Sequence, residues 1–173
     1  MTDDVTSDPA AEAASQDSRH CRTFLVVVDN SEEMRAALRF ACKRARNTDG
    51  QVALLHVIEP PEFQHFAIVG QRMADEARQE AEELMQSLAA EVNRCSGHLP
   101  TLYIRQGQKA DQLVQLVKEE PGISILVLAA GPKQDDPGPL VASLSSGKLQ
   151  SRIRIPVTIV PGTLTDDEID ALA

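Results

Sequence analysis

Continuous apolar runs, separated by segments with helical spacing, constrain the fold of this chain more than any other feature. The first run spans Thr23–Val28 and contains three consecutive valines, and comparable runs lie at residues 52–58, 125–130 and 157–160. Strands that are apolar on both faces are typical of a parallel sheet with helices on either side. A further strand of alternating character is predicted at residues 102–105. The alternation of strands and helices therefore predicts an α/β fold with a five-stranded parallel sheet and helices on both faces.

Helix signals place the segments between these strands. Ser31, followed by two acids, is predicted to cap a first helix that runs to about Arg46. This helix carries Cys42 on its apolar face, so the thiol is interpreted as a core residue and not as a reactive group. The same apolar spacing predicts three later helices, at residues 70–95, 110–119 and 145–153.

The ends of the chain differ in charge from its centre. The net charge is −9, but residues 1–20 hold five acids against one arginine, and residues 162–173 hold four acids and no base. The first segment is predicted to be a disordered acidic arm and the last an acidic tail. One domain is predicted over residues 21–161. Because this domain is close to neutral and has no basic stripe, nucleic acid is not expected as a partner.

Local signals describe the last strand and the tail. Pro156 and Pro161 bracket the strand, which favours a place at the edge of the sheet or at a dimer seam. Thr165 precedes three acids, which is a favourable helix start, and Ile169 and Leu172 form an apolar pair in that helix. A short docking helix and a frayed tail both fit this pattern.

The cysteines and the apolar runs indicate the compartment. Three cysteines at wide spacing, without a C-x-x-C pair, are typical of a reducing cytosol and argue against a disulfide framework or a zinc site. The N-terminus is acidic where a signal peptide is basic, and no apolar run approaches the roughly 18 residues of a membrane span. A soluble cytoplasmic protein that requires no metal and does not enter a membrane is therefore predicted.

Two groups of aromatic and imidazole side chains are open to more than one interpretation. His56 lies inside the second strand, and a packed histidine is favoured over a metal ligand because no Cys, Asp or second His stands at metal-binding spacing. The connection after this strand contains Phe63, His65 and Phe66. These residues either staple the loop to the core or form a lid over a ligand.

A glycine- and proline-rich loop follows the apolar run at residues 125–130. Gly131 ends the run, and a serine-rich segment stands beyond three prolines. In α/β proteins a buried strand, a glycine loop and a helix start form a place for an anion. The hydroxyls of Ser143, Ser145 and Ser146 are candidate donors at this predicted helix start, with Lys148 nearby.

Four segments resemble the universal stress protein family. They are FLVVVDNS from Phe24, QVALLHVI from Gln51, ILVLAAG from Ile125 and IPVTIVP from Ile155, and the resemblance extends over about residues 22–161. It implies a Rossmann-like sheet of the adenine nucleotide alpha hydrolase type, in the order 3-2-1-4-5. The ends of the first and fourth strands would then flank one crevice.

The resemblance also implies a nucleotide site. In nucleotide-binding members an acid after the first strand meets adenine, a second-strand position lies alongside it, and a G-x-x-G-x9-G-[ST] loop holds the ribose and phosphates. Beyond Gly131 the glycine pattern fails, since Gln134 and Leu144 stand at the second and third glycine positions. The candidate nucleotide-binding residues are Asp29, Asn30, Val57, Ala130, Gly131, Ser143, Ser145 and Ser146.

Two functions fit these residues. The first is a homodimeric stress-response or signalling module that binds ATP or AMP weakly through the altered loop. The second is a dimeric interaction protein that binds no nucleotide because the three prolines pack the loop shut. An enzyme is the third interpretation, limited to slow ATP hydrolysis, since no Ser-His-Asp order or metal constellation is evident. The resemblance implies that the dimer forms by pairing of the last strand, through Val157, Thr158, Ile159 and Val160.

Overall fold

Five strands and five helices alternate along the described part of the chain. The computed structural model describes residues 21–60, 67–132 and 137–173, with the side chains of the second range described from residue 72. The elements are β1 (Thr23–Val28), α1 (Met34–Asn47), β2 (Gln51–Ile58), α2 (Ala67–Ser96), β3 (Thr101–Gln106), α3 (Lys109–Glu119), β4 (Ile123–Ala130), α4 (Pro139–Ser145), β5 (Val157–Pro161) and α5 (Asp166–Leu172). The arm predicted at residues 1–20 and the staple or lid at Phe63, His65 and Phe66 lie outside the described residues.

The strands form one parallel sheet in the order β3-β2-β1-β4-β5, which confirms the predicted topology. Val26 in the centre of β1 is opposite Leu54 of β2 on one side and Val127 of β4 on the other. The chain passes from β1 to β2 and β3 on one side of β1, whereas β4 and β5 lie on the other side. The carboxyl ends of β1 and β4 therefore form the point at which the strand order reverses, where open α/β sheets place their ligands.

Both faces of the sheet are buried, which explains the continuous apolar runs. One set of alternating β1 side chains, including Phe24 and Val26, packs under α1 and α2. The other set, Leu25 and Val27, packs under α3 and α4. Two hydrophobic layers thus enclose the sheet, as the unbroken apolar character of β1 predicts.

Helix α1 begins slightly later than its sequence signals suggest. Its first residue is Met34 and its N-cap is Glu33, so the prediction that Ser31 is the N-cap is wrong. The Ser31 hydroxyl still accepts a hydrogen bond from the Met34 backbone N–H at 3.3 Å. The two acids after Ser31 precede the first helical turn and do not lie in it. Cys42 is 2% exposed among apolar neighbours, which confirms its place in the core.

The helix before β5 lies earlier than predicted. The helix expected at residues 145–153 is in fact α4, which ends at Ser145, and hydrogen-bonded turns follow it. Gly138 precedes the helix with a φ of 91°, and Pro139 occupies its first position, where a missing N–H and a fixed φ are favourable. The serines thus lie at the C-terminal end of a helix, and the prediction that they begin one is wrong.

The C-terminal segment forms a docked helix. Thr165 and Glu168 exchange side-chain and backbone hydrogen bonds in a capping box at the start of α5. Ile169 is 1% exposed, whereas Leu172, its expected apolar partner, is 63% exposed. One side chain of the predicted pair therefore fixes the helix. Within the described ranges no helix combines the length and the apolar character needed to cross a membrane.

Candidate functional site

A small crevice lies at the strand-reversal point between the ends of β1 and β4. Its volume is about 30 Å³, close to that of one water molecule. Side chains and backbone from β1, α1, α3, β4 and α4 meet around it. Those lining it include Val27, Asp29, Lys109, Ala129, Gly138 and Pro139.

Asp29 lies at this crevice, directly after β1, as the sequence predicts. Its Oδ1 accepts hydrogen bonds from the backbone N–H of Ser31 at 3.0 Å and from the Ser31 hydroxyl at 2.6 Å. One carboxylate oxygen is therefore engaged in holding the start of α1. The other accepts no hydrogen bond from the part of the chain that the structure describes, and Asn30 beside it is exposed.

Lys109 is a crevice residue that the sequence patterns did not indicate. It is the first residue of α3, and its backbone N–H donates to Glu59 Oε1 at 3.3 Å. Its side chain shares the crevice lining with Asp29. Its position just after β3 and Gly107 could have indicated that it lies near the crevice, because the carboxyl ends of all parallel strands lie at one edge of the sheet.

His56 and Val57 lie near the carboxyl end of β2, beside the end of β1, and do not line the crevice. His56 Nδ1 lies 3.3 Å from the carbonyl oxygen of Val28, to which it donates a hydrogen bond in its neutral form. Burial lowers the pKa of His56, and the positive charge of Lys109 contributes in the same direction. The packed-histidine interpretation agrees with this geometry, and the described residues contain no cluster of three or more metal-ligating side chains. Val57 is 5% exposed, so only its backbone can face a ligand.

Backbone hydrogen bonds engage Ala130 and Gly131 at the end of β4. The N–H of Gly131 donates to the carbonyl oxygen of Pro137 at 3.4 Å, and the carbonyl oxygen of Ala130 accepts from Gly162 N–H at 2.9 Å. Residues 133–136, including Gln134, lie outside the described residues. The Ala130 carbonyl and the Gly131 N–H, in the two residues that the resemblance matches to the start of the nucleotide loop, are thus bonded within the protein.

The candidate serines lie away from the crevice. Ser145 Oγ donates to the Val141 carbonyl at 3.0 Å, and Ser146 Oγ donates to the Ser143 carbonyl at 3.1 Å. Helix α4 contacts the crevice through its first residues, and a seven-residue helix is about 10 Å long. Ser145 instead lines a separate groove beside β5. Of the candidate residues, Asp29 lines the crevice. Val57, Ala130 and Gly131 lie at or just after the ends of β2 and β4 but do not line it, and the serines lie at the far end of α4.

Comparisons with solved structures find universal stress proteins. One from Lactobacillus plantarum is 19% identical with a TM-score of 0.67, covering 80% of this chain and 97% of that chain. One from Archaeoglobus fulgidus, in complex with dAMP, is 17% identical with a TM-score of 0.56, covering 81% and 97%. Another, in complex with cAMP, is 16% identical with a TM-score of 0.55, covering 83% and 98%. At these identities the likeness shows a shared fold.

The sequence comparison identifies the family. A comparison with curated protein sequences finds no match. The family model described as "Universal stress protein family" matches residues 20–161, which is most of the chain and contains all five strands. The chain therefore belongs to the universal stress protein family.

Proposed function

We propose that this protein is a homodimeric stress-response or signalling module that binds an adenine nucleotide weakly at the crevice between β1 and β4. The observation that carries the proposal is the position of Asp29, which lies at the strand-reversal point with one carboxylate oxygen that accepts no hydrogen bond from the described residues. The dAMP and cAMP complexes of two universal stress proteins support adenine as the recognised base. Binding is expected to be weak because Gly131 is hydrogen-bonded to Pro137 and the crevice is small.

The size of the crevice explains why the affinity is expected to be low. Ligand pockets commonly enclose about 300–1,000 Å³, whereas this crevice encloses about 30 Å³. A nucleotide must therefore separate Gly131 from Pro137 and displace the start of α4 before it can bind. This rearrangement costs free energy, so only a fraction of the molecules is open at equilibrium. The observed affinity equals the affinity of the open form multiplied by that fraction.

Phosphate recognition in this site is expected to depend on Lys109. The loop lacks the glycines that allow close approach to a polyphosphate. Lys109 provides one positive charge at the crevice, so a monophosphate such as AMP matches the site better than ATP does. Lys109→Ala should therefore weaken AMP binding and leave adenosine binding nearly unchanged.

Isothermal titration calorimetry with AMP, ATP and adenosine tests the proposal. AMP should bind with a dissociation constant on the order of 1 mM, which corresponds to about 4 kcal/mol. Asp29→Ala should weaken binding at least about tenfold, a loss of about 1.4 kcal/mol. Asp75→Ala, on an exposed turn of α2, is the matched control and should bind as the wild type does. Absence of binding at millimolar ligand contradicts the proposal.

The alternative function is a dimeric interaction protein whose crevice stays shut. The bond between Gly131 and Pro137 and the small crevice volume favour it. The two functions are distinguished by mass spectrometry of the denatured, freshly purified protein. Co-purified adenine nucleotide counts against the shut crevice, whereas its absence together with silent calorimetry supports it.

The proposed dimer forms through β5, at the edge of the sheet. Ile159 is 44% exposed there, and a groove of about 420 Å³ beside it is lined by five apolar residues together with Ser145 and Gln150. Among the described strands β5 pairs only with β4, so its outer edge is free to accept a second copy. Pairing of Val157, Thr158, Ile159 and Val160 with the same residues of that copy would bury this edge.

A further inference from the structure

A second cleft lies between α1 and α2, on the face of the sheet opposite α3 and α4. Its volume is about 330 Å³, and it is lined by residues of α1, the last turns of α2 and the start of α5. Two of the three cysteines of the chain, Cys42 and Cys95, share this lining. The cleft is separate from the Asp29 crevice, and the proposed nucleotide function does not use it.

The two cysteines line the same cleft from neighbouring helices. Cys42 projects from α1 into the core, and Cys95, from the last turn of α2, packs against the same apolar cluster. The Cys95 side chain is near enough to contribute to the raised pKa of the Cys42 thiol. Residues 53 positions apart in the chain are thus brought together by the packing of two neighbouring helices.

The two thiols differ in their access to solvent. Cys42 is 2% exposed, whereas Cys95 is partly exposed in the open cleft. Burial, with smaller contributions from Cys95 and Glu91, raises the pKa of the Cys42 thiol, so Cys42 stays protonated at neutral pH. A dissolved oxidant therefore meets Cys95 first, and Cys42 is the second thiol to react.

Charged side chains surround the opening of the cleft. Arg39 interacts electrostatically with Cys95 and forms ion pairs with Asp166 at 3.0 Å and Asp170 at 2.8 Å. Arg94 lines the same cleft. These groups keep the rim polar and hydrated, so a small polar oxidant can enter, while the apolar floor holds the two sulfur atoms in place.

We propose that Cys42 and Cys95 form an oxidisable dithiol that closes into an intramolecular disulfide between α1 and α2 when the protein meets a hydroperoxide. The Cys95 sulfur attacks the peroxide, the O–O bond breaks, and Cys95 becomes a sulfenic acid with release of water or an alcohol. The Cys42 sulfur then attacks the Cys95 sulfur, the S–O bond breaks, and the hydroxyl leaves as water with the Cys42 proton. The two thiols supply two electrons, and the hydroperoxide accepts them.

Peroxide titration of a Cys21→Ser variant tests the proposal, because that variant retains only the proposed pair. Hydrogen peroxide at one equivalent should lower the intact mass of the denatured protein by about 2 Da per chain and remove both free thiols, and dithiothreitol should restore them. Peptide mapping under non-reducing conditions should then find Cys42 joined to Cys95. The product should run at the mass of a single chain.

Two further variants assign the order of reaction. In Cys42→Ser, Cys95 should stop at the sulfenic acid and form a dimedone adduct. In Cys95→Ser, the same dose of peroxide should leave the mass unchanged. Retention of both free thiols in the Cys21→Ser protein, or a disulfide that joins two chains, overturns the proposal. Because Cys21→Ser alters only an exposed residue, this central measurement does not depend on substitution in the core.

Discussion

At the scale of single residues, a close backbone contact joins the end of β4 to the C-terminal segment. Gly162 N–H donates to the Ala130 carbonyl, and a Cβ at Gly162 would lie 2.7 Å from Glu33 Cβ and 3.0 Å from the Ala130 oxygen. Because backbone has to move to admit a methyl group, Gly162→Ala should lower the free energy of unfolding by about 1–3 kcal/mol. Urea denaturation followed by circular dichroism measures this.

Gly122→Ala is the matched control, since a Cβ at Gly122 would meet no atom within 4 Å. Its free energy of unfolding should stay within about 0.5 kcal/mol of the wild type. If both substitutions change the free energy of unfolding equally, the protein accommodates the added methyl group at Gly162 without loss of stability.

The sequence predicted the position of some residues near the crevice and missed others. Asp29 follows a buried strand, so its place at the sheet edge follows from the sequence, and the carboxylate with a serine two positions later is a local signal for the bonds to Ser31. Lys109 was not foreseen, because its approach to Asp29 depends on α3 starting beside the same edge. The positions of Ser143, Ser145 and Ser146 relative to the crevice depend on where α4 begins.

At the scale of elements, α4 shows how two local signals compete. Serines are favourable N-caps, so the serine-rich segment predicts a helix start, yet the Gly138–Pro139 pair is the stronger signal. Once the helix begins at Pro139, the serine hydroxyls bond to carbonyls at its other end. The strands were easier to place, because β1, β2 and β4 are apolar over their full length.

Helix α5 yields a prediction about how the tail is held. Ile169 is buried against α1, and its truncation leaves a cavity, so Ile169→Ala should lower the free energy of unfolding by about 2–4 kcal/mol. Leu172→Ala, on the same helix but 63% exposed, should change it by no more than about 0.5 kcal/mol. Chemical denaturation of both variants measures the difference. A small effect of Ile169→Ala would indicate that α5 frays in solution.

The ion pairs of α5 make the stability of the fold depend on pH. The Asp170 carboxylate accepts hydrogen bonds from Arg39 and Lys43, at 2.7–2.9 Å, and these bonds lower its pKa from 3.8 to about 2. The unfolded chain therefore binds this proton at a higher pH than the folded chain does. The contribution of Asp170 to stability is full above about pH 4, falls between about pH 4 and pH 2, and is absent below that range.

Asp170→Asn should consequently be less stable than the wild type at pH 7, and the two proteins should converge as the pH falls towards 2. Thermal unfolding measured across this range tests the prediction. Asp167→Asn is the control, because Asp167 is exposed on the same helix and forms no ion pair with the described residues. A stability difference that persists unchanged at pH 2 would contradict the assigned ion pairs.

At the scale of the whole molecule, the sheet topology was accessible from the sequence, whereas the state of the crevice was not. Strand alternation and apolar runs such as Thr23–Val28 predict a parallel sheet that is covered on both faces. The order of its strands was implied by the resemblance of four separated segments to the universal stress protein family. The volume between Asp29 and Gly138 depends on the path of one loop and on a single bond between Gly131 and Pro137. Composition and periodicity carry no information about that path.

The last prediction concerns the proposed dimer. Ile159 lies on the outer edge strand beside an apolar groove, so a charge there would be buried without a partner in the proposed β5–β5 dimer. Ile159→Glu should weaken dimerisation at least tenfold, an effect of about 1.4 kcal/mol or more, as measured by light scattering across a concentration series. Leu99→Glu is the control, since Leu99 is 74% exposed and lies just before β3, at the opposite edge of the sheet. If both variants stay dimeric, the copies associate through another surface. A wild type that is monomeric at micromolar concentration refutes the dimer.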